Sequence, residues 1–313
     1  MTDGAVLAIG ELLWDLLLDG AMLGGAPANF ANRVRQFRDA VGLVSRVGSD
    51  ELGRKATDQL AKQGLPVDLI QLDPVHSTGT VDVRLSADGS PSFRINPDVA
   101  YDYLELTPAL EAAVESAGLI YFGTLAQRQF VTRAALYQLL DTVPHLPRFL
   151  DINLRAECFS AETVEASLRR ATILKLNQDE VGRLNSLLSL GTDDVLQFCQ
   201  QIFDRFPIQS VLVTLGAGGA LLVPRQGDPI YEPGLRVKVS DTIGAGDAFA
   251  AGFVVKQQQG APAAKCLAFA NALGSASAMV KGGMGVLTSE QVEMVMKTDI
   301  ERTTLPQFAS YRR

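Results

Sequence analysis

The sequence predicts an α/β fold in which a mostly parallel sheet is flanked by helices, and three observations carry that prediction. Short apolar runs alternate with longer segments of helical period. The runs are apolar on both faces, as strands covered on both sides must be. Helix-start signals stand where several of the runs give way.

In chain order, the first run is Val6–Gly10. The stretch Leu12–Leu23 then takes a long path to a helical segment, Pro27–Arg38, whose proline suits a first turn. The strand-like runs Val41–Gly48, Leu119–Gly123, Phe149–Ile152, Ile173–Leu176 and Val211–Leu215 follow, with helical segments Glu51–Gly64, Pro108–Ala117, Ala161–Arg170 and Asp193–Phe206 between them. Thr107 and Ser160 are N-cap residues, and Gly260 with Pro262 ends a further helix. One stretch breaks the rhythm. In Thr78–Phe93, apolar Val81, Val83 and Leu85 alternate with polar neighbours and Asp88-Gly89 supplies a turn. This hairpin either joins Leu12–Leu23 in a small separate sheet or lies at the edge of the main one.

A chain of 313 residues is long enough for a large core without staples. With 28 Lys and Arg against 35 Asp and Glu, the net charge of −7 excludes a general taste for nucleic acid, so any phosphate must be held locally. Cys158, Cys199, Cys266, His76 and His145 form no metal-ligand or disulfide spacing, which predicts buried thiols in a reducing compartment. The N-terminal stretch lacks the basic flank of a signal peptide, and no apolar run reaches about 18 residues. The expectation is a cytoplasmic protein without a membrane partner.

The sharpest chemical segment is DTIGAGDAFAAGF, beginning at Asp241. Gly244, Ala245 and Gly246 allow close backbone approach, and a helix from Asp247 onward aims unpaired N–H groups at one point, an anion hole. An acidic Asp247 there is either an ordinary first-turn carboxylate or a base that takes a proton from an attacking hydroxyl. Gly24, Gly25 and Asn29 in LGGAPANFA offer a tight turn and an amide one helical turn later. Asn177 and Glu180 in NQDE lie three apart on one helical face at the carboxyl edge of the sheet, where ligands of such sheets bind. Thr214–Gly219 is either a phosphate or ribose loop or a hairpin turn. No G-x-x-x-x-G-K-[ST], no H-R-D with D-F-G and no G-x-G-x-x-G after the first strand occurs, which argues against P-loop, protein-kinase and dinucleotide-binding readings.

Taken in order, GELLWD, LGGAPANFA, DINLR, NQDE, TLGAGG, DTIGAGDAFAAGF and ANALGSASAMVKGG resemble the ribokinase-like (PfkB) carbohydrate kinases over essentially the whole chain, most of all the bacterial fructokinase branch. The resemblance implies a Rossmann-like body from residues 1–11, 24–77 and 102–313, with a β lid from 12–23 and 78–101. It implies Asp247 as catalytic base with Gly244, Ala245 and Gly246 as its anion hole. Asp15, Gly24, Gly25 and Asn29 match sugar-binding positions; Arg155, and Arg94 or Arg128 near the lid, are candidate substrate contacts, each equally readable as an ordinary surface arginine. Asn177 and Glu180 match the Mg²⁺ motif, acting partly through water; Asn177, Thr214, Gly216, Gly219 and Asn271 match ATP-binding positions. Asp241 matches a K⁺ ligand, completed by carbonyls near Gly283 and Gly285. The implied reaction is ATP-dependent phosphorylation of a primary hydroxyl, of D-fructose first, with 2-keto-3-deoxygluconate, ribose or a nucleoside as alternatives. A non-catalytic sensor on the same fold is opposed by the intact Asp247 and its loop. Val81, Val83 and Leu85 either clasp a second lid in a homodimer or face the sugar.

Overall fold

A computed structural model of the chain describes residues 4–17, 20–85, 91–297 and 300–312. The main sheet is built from strands β1 (Ala5–Ile9), β4 (Val41–Gly48), β5 (Ile70–Asp73), β8 (Ala117–Phe122), β9 (Arg148–Asp151), β10 (Ile173–Asn177), β11 (Ser210–Thr214), β12 (Gly219–Pro224), β13 (Ile230–Leu235) and β14 (Arg302–Thr303). Their spatial order is β14-β13-β12-β11-β10-β9-β8-β1-β4-β5. Every pair from β11 through to β5 is parallel, and the β12, β13 and β14 end is antiparallel.

Both faces of the strands are buried, which explains their unbroken apolar runs. Leu7 and Ile9 of β1 pack on one side with Ile120, Phe122, Leu174 and Val211, under helices α3 (Pro108–Glu115), α4 (Phe130–Thr142), α5 (Ala161–Arg170), α6 (Gln178–Leu187) and α7 (Val195–Arg205). Val6 and Ala8 pack on the other with Leu43, Leu119, Phe149 and Leu212, under α1 (Ala26–Arg35), α2 (Glu51–Lys62), α8 (Ala245–Gln258) and α9 (Ala263–Ser277). Thr107 and Ser160 cap α3 and α5 through their hydroxyl oxygens. Helix α1 is shorter than its sequence pattern, ending at Arg35, and α8 begins at Ala245, two residues before the predicted start.

A second sheet has the order β3-β2-β6-β7, from β2 (Leu13–Leu17), β3 (Gly20–Gly24), β6 (Gly79–Leu85) and β7 (Pro91–Ile95). The stretch Leu12–Leu23 joins the hairpin in this separate sheet, as the first of the two alternatives has it: β2 and β3 pair antiparallel, and β2 joins β6 in parallel. The Thr78–Phe93 hairpin belongs to this sheet and not to the edge of the main one. Its Asp88-Gly89 turn and the side chains of Val83 and Leu85 lie outside the described residues. Val81 is buried against Leu13, Val99, Tyr101, Leu125 and Ala126 of its own chain.

The far end of the main sheet is closed by residues late in the chain. Leu305 packs so tightly on Gly218 that a Cβ there would come within 2.6 Å of it, and Leu305 N–H donates to the Tyr231 hydroxyl, which in turn donates to Gly218 O. Cys158, Cys199 and Cys266 are free and buried, and no described helix is long and apolar enough to cross a membrane.

Candidate active site

The site candidates gather where the carboxyl ends of β1, β9 and β10 meet the amino ends of α1 and α8. Gly244 caps α8 with φ of 76°, a left-handed conformation that glycine adopts without strain, and its α-carbon lies against the Gly283 backbone. The N–H of Ala245 is spent on Thr242 O, while those of Gly246 and Asp247 lie in the first helical turn without an intrahelical acceptor. Asp247 is buried, and its Oδ2 accepts a 2.8 Å hydrogen bond from Asn29 Nδ2 of α1. Burial pushes its carboxyl above the ordinary value, opposed by the Lys175 ammonium, by the Asn29 hydrogen bond and by Arg155 and Arg33. A carboxylate with raised proton affinity, beside open N–H donors, is suited to take a proton from a hydroxyl.

Of the sugar-side candidates, Asp15, Gly24, Gly25, Asn29 and Arg155 lie near the same point, and Arg94 and Arg128 do not. Asp15 stands on β2 opposite Met22 and Val81, and Gly24 leaves room for it: a Cβ there would lie 2.8 Å from Asp15 Oδ2. Burial raises the Asp15 carboxyl, Arg155 opposes that, and Asp241 adds to it. Gly25 starts α1 at φ of 105°, where a side chain would collide with Glu11 O. The carbonyl oxygen of the Asn29 side chain, Oδ1, is buried with no partner among the described residues. Arg155 is exposed, yet its charge reaches Glu11, Asp15 and Asp247. Arg94 is exposed on β7, opposite Asp82. Arg128, expected to contact substrate, is committed elsewhere: it forks onto Asp102 at 2.8 and 2.7 Å and also bonds Asn96 O.

The phosphate-side candidates have structural duties of their own. Asn177 and Glu180 form a reciprocal capping box at the start of α6, and the other Glu180 oxygen accepts from Leu154 N–H. With both oxygens bonded to backbone, this pair fits a hydrated cation approached through water better than a directly ligated one. Thr214 ends β11, Gly216 is open at φ of 56°, and Gly219 sits hard against the β13 backbone, where a Cβ would come within 2.0 Å of Glu232 O. The segment is thus a hairpin turn whose tip, at Gly216, faces outward. Asn271 pins α9 to β13 by donating to Pro233 O. Asp241 ties the loop before α8 to Gly282, accepting from Ile243 and Gly282 N–H.

The profile described as pfkB family carbohydrate kinase matches residues 21–289. The chain belongs to the pfkB family of carbohydrate kinases. This kinase is 28% identical over 303 residues to a fructokinase of Klebsiella pneumoniae, covering 91% of this chain and 96% of the relative. It is also 26% identical over 280 residues to the aminoimidazole riboside kinase of Salmonella typhimurium, covering 84% of each. Among solved structures, a double mutant of fructokinase from Vibrio cholerae O395, in a form with fructose, ADP and potassium ion bound, superposes with a TM-score of 0.79 at 25% identity, covering 95% of this chain and 99% of that one. The protein is a sugar kinase, a phosphotransferase with an alcohol acceptor.

Three charged residues of the site escaped the sequence reading as site members. Glu11 is buried, its Oε1 accepts from Ala26 N–H and its Oε2 has no partner among the described residues; burial, reinforced by Asp247, pushes its carboxyl up to about 7. Arg33, 1% exposed, reaches Ser277 and Gly283 O from α1. Lys175 points from β10 toward Gly246. The one signal in the sequence was their charge inside otherwise apolar runs, GELLW, FANRV and ILKL.

Proposed function

We propose that the protein phosphorylates D-fructose at a primary hydroxyl with ATP, and that Asp247 is the base. The observation that carries the reading is the buried Asp247 carboxylate, oriented by Asn29 within the first turn of α8. Asp15 accepts from sugar hydroxyls, Gly24 and Gly25 let the ligand approach the backbone, and the free Oδ1 of Asn29 accepts one more donor. Asp247 takes the proton of the reacting hydroxyl as its oxygen bonds the γ-phosphorus. The bond from that phosphorus to the β,γ-bridging oxygen breaks, ADP leaves, and the Gly246 and Asp247 N–H groups stabilise the transferring oxygens. Thr214, Gly216, Gly219 and Asn271 hold the nucleotide. Asn177 and Glu180 would hold Mg²⁺ through water, where it would neutralise phosphate charge, and Asp241 would hold K⁺ beside the loop before α8. The second sheet serves as a lid that keeps water from competing with the sugar.

The fructokinase relative and the fructose-bound structure support fructose; the aminoimidazole riboside kinase supports a riboside as second reading. The test is a coupled ADP assay with fructose, tagatose, ribose, adenosine, aminoimidazole riboside and 2-keto-3-deoxygluconate. Fructose is expected to give the highest kcat/KM, and a higher value for any other sugar overturns the assignment. In the same assay Asp247→Asn is expected to lose about 10²–10⁴-fold in kcat while calorimetry shows sugar and nucleotide still binding. Retained turnover removes Asp247 from its role.

A further inference from the structure

Lys175 is a full charge in the wrong place for packing. On β10 it shares a face with Ile173, under α8, and its register partners are Leu212 on β11 and Asp151 on β9. Its side chain is 4% exposed and that of its partner Asp151 is 0% exposed. The ammonium donates to both Asp151 oxygens at 2.9 and 3.0 Å, and Asp151 Oδ2 also accepts from the Tyr121 hydroxyl at 3.1 Å. Tyr121, Asp151 and Lys175 therefore form a polar row across three adjacent strands of an apolar face. Stability does not explain such a row, because a buried ion pair is often replaced by apolar residues at no loss.

Its location does. A Cβ on Gly246 would lie 2.9 Å from Lys175 Nζ, so the glycine makes space for the ammonium directly behind the anion loop. Asp151 anchors the ammonium there, preventing it from swinging away as a free lysine would. We propose that Lys175 is a positioning residue of the phosphotransfer site: pinned by Asp151 behind Gly246, it keeps the Asp247 carboxylate charged and adds a full positive charge to the anion loop. The inference rests on Asp247 being the base.

Other groups face Asp247 as well. Arg33 from α1 and Arg155 from the loop after β9 act in the same sense as Lys175, and the carboxyls of Glu11 and Asp151 against it; Tyr121, held neutral by burial, faces it without a charge. Of the cations, Lys175 acts on Asp247 most strongly, and its two hydrogen bonds to Asp151 fix it in place.

The decisive variant is Lys175→Met combined with Asp151→Asn, which removes both members of the ion pair together and so is expected to fold. Two readouts apply: the pH profile of kcat with the best sugar of the panel, and infrared difference titration of the Asp247 carboxyl, identified as the band lost in Asp247→Asn. The expected result is an acid limb and a carboxyl midpoint each higher by about one pH unit. Sugar and ATP KM stay within about threefold while kcat falls about thirtyfold. An unmoved carboxyl midpoint with kcat retained overturns the proposal, whatever the variant's melting temperature. If the native protein turns over none of the sugars, the fructose reading fails by itself, and the carboxyl titration still decides whether Lys175 governs Asp247.

Discussion

Glu11 is a carboxyl whose environment contradicts its chemistry: one oxygen caps the start of α1, and the other is buried without a partner among the described residues. In the unfolded chain it titrates near 4.5, in the fold near 7. The folded state therefore holds its proton more tightly. The stability it contributes is fully present below pH 4.5 and is lost as pH rises through 7, by about 3 kcal/mol in all. Glu11→Gln keeps the neutral geometry at every pH. Urea unfolding is expected to show the variant gaining on the native protein between pH 5 and pH 8, and a constant difference across that range would contradict a raised Glu11. Asp15 is shifted in the same direction in both proteins and cancels from the comparison, while Asp247, coupled to Glu11, is relieved in the variant and adds to the difference in the same sense. Of these charged residues, Asp247 stood out in the sequence because glycines precede it at a helix start. Glu11, Arg33 and Lys175 did not, because burial of a charge depends on strands far away in sequence.

At the scale of elements, capping chemistry was legible and sheet membership less so. Thr107 and Ser160 act on the helix turns next to them, so a short window of sequence holds the whole interaction. The pairing of β2 with β6, by contrast, joins residues more than sixty positions apart and leaves no local trace. Arg128 illustrates the same limit. Near the hairpin its charge read as a substrate contact; in the fold it neutralises Asp102, which is 0% exposed, and lies over the Tyr101 ring. Arg128→Met strands that carboxylate and is expected to cost about 3–5 kcal/mol in chemical denaturation, with much of the loss recovered when Asp102→Asn is added. A loss no larger in the single variant than in the double would show that the pair is not a unit.

For the whole molecule, the acidic surface and the phosphate-binding proposal are compatible, since N–H groups and a few buried cations at one helix end do locally what a basic surface would do everywhere. The second sheet touches the loop after α9 beside that end. Gly282, at φ of 79°, donates to Asp241, and a Cβ on it would collide with Met22 Cε from β3. If the second sheet closes over the sugar, this contact sets how far it closes. Gly282→Ala is expected to raise the sugar KM about tenfold, partly through strain at positive φ. Adding Met22→Ala should restore part of the loss by clearing the collision. Steady-state kinetics of the two variants check this, and equal sugar KM values in both would separate the loop from the sheet.

The brace at the other end of the main sheet has a bearing on biosynthesis. The loop at Gly216–Gly218 leaves the ribosome well before Leu305, yet Leu305 and the Tyr231 hydroxyl are what hold Gly218 in place. A nascent chain can thus assemble its parallel strands and cover them with helices while this loop still lacks its support. A premature stop ahead of Leu305 would leave a protein that looks folded to a spectroscopist and is unfinished where the nucleotide is proposed to sit.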